Sequence, residues 1–276
     1  MSFNQEPVAG DPAGAPSLAV GAYSEALVRG RRVLVLGDAT SPLAEQLAAR
    51  GARLVHVYDT HPGRVSVGMA KRAAGDGRSN IVIAQLGDDV GVRDGAFDVV
   101  VIPDLPLLGS DINDLIRRAR RLVSPLGVVV IASPNPEAER FLALPPANRE
   151  GAPSYYDLFD AVSLQFADVR MLGQAPFVGY AIVDFAEADP AVSVDTSLLV
   201  EPEAPEWYIA IASDRPQTLD PYSLVAVPLE TIAAAMPDEH ATIQPPPMQL
   251  QPDLPSDDEV QLAEARARIT VLTTEN

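Results

Sequence analysis

Apolar positions along this chain fall into short unbroken runs separated by stretches with helical spacing, and the two patterns alternate. Val33-Leu34-Val35-Leu36 has no polar interruption, the pattern of a parallel strand covered on both faces. Residues 42–50 carry apolar side chains at helical spacing and close on Gly51, a residue suited to the left-handed turn that ends a helix. The pattern then predicts a second strand over 54–58, ending just before Asp59, a helix over 64–74, a third strand over 81–84 and a fourth over 97–102. Residues 111–123 place Ile112, Leu115, Ile116, Ala119, Leu122 and Val123 on one stripe, which predicts an amphipathic helix. Arg117, Arg118, Arg120 and Arg121 lie beside that stripe and read as a solvated face. Pro125-Leu126-Gly127 predicts a turn into a fifth strand over 128–132. Strands and helices in this order predict a doubly wound α/β sheet, mainly parallel, with right-handed crossovers.

The second half breaks the alternation. Ser154 followed by Asp157 has the form of a capping box, opening a helix that runs to about Phe166. Strands are expected over 169–172, 178–185 and 207–212 with no helix between them, and strands joined by loops pair antiparallel, so the far edge of the sheet is expected to be antiparallel. The acidic, proline-bearing stretch 187–206 reads as an insertion. Ahead of the sheet a helix is expected over 17–29, preceded by a Gly-, Pro- and Ala-rich lead-in over 1–16 that reads as disordered. The α/β domain is thus expected to span 17–236, followed by a proline-rich linker over 237–256 and a short amphipathic helix over 257–276. In that helix Leu262, Ala265, Ile269 and Leu272 follow the rhythm of a coiled-coil seam, which suits docking on the domain or self-association.

Composition narrows the functional classes. The 276 residues include no cysteine, which excludes disulfides, thiolate metal sites and cysteine nucleophiles. Three scattered histidines give no metal-ligand spacing. No run approaches the length of a membrane span and no signal-sequence pattern opens the chain, so a cytoplasmic protein is expected. The formal charge is −18, which argues against a nucleic-acid partner. That charge is uneven: residues 31–140 carry +1, whereas 141–230 carry −11 and 231–276 carry −6. The partners expected are a small molecule or a protein, neutral or cationic where it meets the acidic half.

Candidate chemistry gathers at one end of the strands. Gly37 lies in the turn after the first strand and Asp59 follows the second. In a doubly wound sheet these points meet at the crevice where nucleotide-like ligands bind. A carboxylate there accepts ribose hydroxyls, and a glycine lets a ligand approach the backbone. His61 follows Asp59 and is a candidate for a base, while Asp104 after the fourth strand is a candidate for a substrate contact. His56, inside a strand, reads as a packed residue.

The order of elements resembles the class I S-adenosylmethionine-dependent methyltransferases over roughly residues 20–215. The resemblance rests on VLVLGDATSPLAEQLAARGARLVHVYD (33–59), LGDDVGVRDGAFDVVVIPDL (86–105) and RRARRLVSPLGVVVIASPNPE (117–137). DVRMLGQAPF (168–177) and WYIAIAS (207–213) resemble the family's final edge strands. The resemblance implies S-adenosylmethionine as cofactor, with Gly37, Asp38 and Ala39 at its methionine end, Asp59 on its ribose, and Asp88 or Asp89 near its adenine. The family's first motif carries an acid and three alternating glycines; here Val35 replaces the acid, and Ala39 and Ser41 replace two of the glycines. Two readings follow: a methyltransferase-like protein, divergent or inactive, on an unidentified substrate, or a non-catalytic interaction module that keeps the fold and works through its acidic C-terminal half and terminal helix. A nicotinamide-dependent oxidoreductase would share Gly37 and Asp59, but G-x-G-x-x-G is absent after the first strand.

Overall fold

The computed structural model describes residues 15–74, 80–87, 91–109, 111–139, 149–177, 179, 182, 193–197 and 204–226. The chain divides into the units Met1–Met236 and Pro237–Asn276, and every described residue belongs to the first. Asp88 and Asp89, most of the strand expected over 178–185, most of the insertion and all of 237–276 lie outside the described residues.

Seven strands form one sheet in the order β3-β2-β1-β4-β5-β7-β6. They are β1 (Arg32–Leu36), β2 (Leu54–Asp59), β3 (Ile81–Gln85), β4 (Phe97–Ile102), β5 (Val123–Pro134), β6 (Asp168–Gln174) and β7 (Trp207–Ser213). The pairs from β3 through β5 are parallel. β7 runs antiparallel to both β5 and β6. The apolar run 33–36 is central because it has no polar face to give to water, and Val33, Leu34 and Leu36 are fully buried. Each such side chain contributes about 1.5–3 kcal/mol.

Alternating residues of the strands supply two cores. Val33 and Val35 pack on one face with Leu43 and Leu47 of α3 (Leu43–Ala49) and Val65 of α4 (Pro62–Ala74). Val20 of α1 (Ala15–Tyr23) and Leu27 and Val28 of α2 (Glu25–Val28) join that face. Leu34 and Leu36 pack on the other with Leu115, Ile116 and Leu122 of α5 (Ile112–Leu122) and Leu158 and Val162 of α6 (Tyr155–Ser163).

Several boundaries differ from the sequence pattern. The helix expected over 17–29 is two helices with Ser24 between them, and it starts at Ala15, inside the stretch that composition reads as disordered. Asp59 is the last residue of β2 rather than the first after it, because its backbone continues the ladder opposite Gln85. β5 begins directly at Val123; Phe97 pairs with Val123 and Val99 with Val128, so 124–127 bulge within one strand instead of turning into a new one. At the opposite end from the crevice, Arg32 grips Asp98 through Nε and Nη2 at 3.1 and 2.7 Å and so ties β1 to β4.

Candidate functional site

The chain runs from β1 outward to β2 and β3 and then returns to β4, so the strand order reverses between β1 and β4. Ligands of doubly wound sheets bind at such a reversal, beyond the carboxyl ends of the strands. Four segments converge there: the turn 37–42, the end of β2 with the start of α4, Leu86-Gly87 after β3, and Pro103-Asp104 after β4.

The turn that holds Gly37 is bonded to the end of β2 that holds Asp59. The Gly37 N–H donates to the Tyr58 carbonyl at 3.0 Å, and the Ala39 N–H donates to Asp59 Oδ2 at 2.9 Å. Asp59 is 0% exposed. Its Oδ1 accepts the His61 N–H at 2.8 Å and Arg64 Nη2 at 2.6 Å, and Oδ2 accepts Arg64 Nε at 2.7 Å as well as Ala39. An ionised carboxylate offers about four acceptor positions, and all of those on Asp59 are taken by its own chain. Burial pushes this carboxyl up; the guanidinium and the two backbone donors outweigh that and hold it below the ordinary aspartate range.

Arg64 is the residue that sequence reading misses. It stands in the first turns of α4, five residues after Asp59, and its side chain keeps 26% of its surface in solvent. The fork geometry of two parallel N–H···O bonds is the strongest form of carboxylate recognition available to a side chain. Asp38 lies 3.8 Å from Arg64 Nε. Its Oδ1 accepts the Thr40 N–H and Oγ1, both at 2.7 Å, and so shapes the turn. His61 is exposed and serves Asp59 through its backbone.

Two glycines of the site face protein. A Cβ built on Gly37 would lie 3.0 Å from Cγ of Pro103, so the proline ring after β4 rests on the turn after β1. A Cβ on Gly68 would overlap the Ala39 carbonyl oxygen, so α4 packs backbone-close against the same turn. Asp104 lies largely buried, its Oδ1 without a hydrogen-bond partner among the described residues, and burial pushes its carboxyl up to about 6. A cavity of about 500 Å³ opens on the α5–α6 face, lined among others by Leu105, Pro106, Ile112, Asp157 and Asp160.

The remaining sequence candidates resolve simply. The α5 arginines are engaged: Arg117 with Asp114, Arg120 with Asp214 and over the Phe166 ring, Arg121 with Asp94, and Arg118 with the Gly87 carbonyl. His56 packs edge-on against Phe97 at 5.3 Å between ring centres, and burial lowers its basicity. Among the described residues no cluster of three His, Cys, Asp or Glu side chains could hold a metal. No helix among them is long and apolar enough to cross a membrane.

Among the described residues, Asp59 and the turn after β1 do not fit S-adenosylmethionine as the resemblance places it. The ribose hydroxyls would find no acceptor position on Asp59, and the turn at Gly37 is packed against Pro103 rather than open.

Comparison with known proteins nonetheless fixes the fold. No family profile and no curated protein matches the chain. Among solved structures, a S-adenosylmethionine-dependent methyltransferase from Mesorhizobium loti is 16% identical, over 73% of this chain and 99% of that one, with a TM-score of 0.51. The CcbJ methyltransferase from Streptomyces caelestis is 19% identical over 76% of this chain and 99% of that one, with a TM-score of 0.48. A methyltransferase from Aquifex aeolicus is 14% identical over 74% and 89%, with a TM-score of 0.47. The first of these likenesses shows that the chain has the fold of these enzymes: a mostly parallel seven-stranded sheet with an antiparallel edge.

Proposed function

We propose that this chain is a non-catalytic member of the methyltransferase-like fold, which uses the sheet as a scaffold and does not bind a nucleoside at the crevice. The observation that carries this reading is the full occupation of Asp59 by Ala39, His61 and Arg64. In a cofactor-binding member the acid after β2 must keep acceptor positions for a ligand. Here the same acid joins the turn after β1 to the start of α4, which is a structural task. The Pro103 ring on Gly37 and the close approach of Gly68 to Ala39 support the reading, because both fill space at the turn with protein.

The partner proposed is a protein or small molecule, neutral or cationic at the contact, since residues 141–276 together carry −17. The coiled-coil rhythm of 257–276 suits self-association. Thermal melting with S-adenosylmethionine and S-adenosylhomocysteine at millimolar concentration tests the reading: no change in midpoint is expected, since only a ligand that binds the folded state raises it. A clear rise with either ligand restores the enzyme reading. Sedimentation of the full chain tests the second part, and a monomer at high concentration removes self-association.

A further inference from the structure

The fork of Arg64 has the valence of a particular ligand. A vicinal diol presents two adjacent O–H donors, and a carboxylate receives them side by side on its two oxygens. Arg64 Nε and Nη2 present two adjacent N–H donors to Oδ2 and Oδ1 of Asp59 at 2.7 and 2.6 Å. The other acceptor position on each oxygen belongs to the backbone, to Ala39 on Oδ2 and to His61 on Oδ1. The two backbone donors belong to the turn after β1 and to the link between β2 and α4, whereas the guanidinium sits on a partly exposed side chain. The carboxylate therefore divides into a fixed half and a half served by one replaceable side chain.

We infer that Arg64 is an internal stand-in for a ribose diol: its guanidinium fills the two positions of Asp59 that a diol would take and thereby sets the specificity of the crevice against nucleosides. This rests on the reading of the chain as a non-binder and deepens it by assigning the exclusion to one residue. Removing the guanidinium frees both positions while Ala39 and His61 continue to orient the carboxylate. The Asp38 carboxylate, 3.8 Å from Arg64 Nε, loses a cation neighbour by the same change and makes no bond to Asp59. Nucleoside recognition is thus latent in the fold and is silenced locally.

Adenosine is the suitable probe, because the turn that would face a methionine group is packed against Pro103. Calorimetry of wild type, Arg64→Ala and Arg64→Lys with adenosine and with 2′,3′-dideoxyadenosine tests the inference. Arg64→Ala is expected to bind adenosine at least about tenfold more tightly than wild type. It should also prefer adenosine to the dideoxy compound by about tenfold or more, since the lost hydroxyls leave acceptors unpaired. Arg64→Lys keeps a cation beside the buried carboxylate, and so the fold, while giving up the fork; it is expected to bind between the two. Asp59→Asn in the Arg64→Lys background should abolish the preference for the diol. If wild type shows no binding and a folded Arg64 variant shows none either, the inference is overturned and the non-binding reading stands. Equal binding of the two nucleosides overturns it as well. If wild type binds adenosine tightly and Arg64→Ala binds it more tightly still, the non-binding reading fails and the role of Arg64 holds. If wild type binds adenosine measurably and the folded Arg64 variants bind it with the same affinity, both fail; the non-binding reading survives only where neither binds.

Discussion

Asp59 and Arg64 are joined by two parallel bonds of 2.7 and 2.6 Å in which the carboxylate is fully buried and the Arg64 side chain is partly exposed. The pair lies at the reversal of strand order, and on the reading proposed above it takes the place of a ligand contact. Its other donors, the Ala39 and His61 N–H groups, make it the junction of three segments, so its loss is felt by the turn, by β2 and by α4 together.

The pair also stabilises the fold. Truncating one partner of a buried ion pair costs about 3–5 kcal/mol, and solvent access to Arg64 lowers that figure here. Arg64→Ala is expected to lose about 1–3 kcal/mol in denaturant unfolding at neutral pH. The sign of the pH dependence follows from Asp59. Its folded carboxyl is held below the ordinary aspartate range, so the contribution is present above the ordinary value and is lost as pH falls through the depressed one. The stability gap between wild type and Arg64→Ala should narrow as pH falls below the ordinary aspartate value near 4; a gap independent of pH contradicts the assignment.

Asp104 behaves in the opposite sense. Its carboxyl, pushed up to about 6 by burial, is a cost when ionised. That cost is full above the folded value and fades as pH falls from about 6 toward the ordinary aspartate value near 4. Asp104→Asn is expected to raise the melting temperature at pH 8 and to give a smaller gain at pH 5. An equal gain at both values would show that ionisation of Asp104 is not the source.

Gly68 offers a test of how tightly α4 seats on the turn. A methyl group there would overlap the Ala39 carbonyl oxygen, which is backbone and cannot rotate away. Gly68→Ala should cost about 1–3 kcal/mol, overpacking outweighing the gain in helix propensity. If the variant is as stable as wild type, the helix does not press on the turn.

The capping box of α6 gives a local check. Ser154 Oγ accepts the Asp157 N–H at 3.3 Å while the Asp157 carboxylate accepts the Ser154 N–H at 3.3 Å. Ser154→Ala should cost about 1 kcal/mol in unfolding free energy.

The sheet was legible because its strands are continuous apolar runs with two buried faces, as at 33–36 and 97–102, and burial leaves little freedom in such segments. The capping box at Ser154 and the lack of a helical pattern in the sequence between the strands that became β6 and β7 likewise carried local information that the antiparallel edge keeps. The β5 boundary was not legible, since Pro125-Leu126-Gly127 reads locally as a turn and only the pairing with β4 shows a bulge. The site was half legible. Gly37 and Asp59 were placed together by strand order alone, but a sequence motif names acceptors and not what satisfies them. Nothing local in the sequence sets Arg64 apart from the other residues of the helix expected over 64–74, or shows that Pro103 covers the turn at Gly37. What each touches is decided by the close seating of α4 and β4 on the turn, which is tertiary and leaves no local signature.

The central claim is that the crevice carboxylate is spent within the chain, and its most direct test is calorimetric titration of the wild-type protein with S-adenosylhomocysteine. No measurable heat of binding is expected up to millimolar ligand at neutral pH. A saturable isotherm in the micromolar range, lost in Asp59→Asn, would contradict the account by showing that Asp59 still receives a ribose.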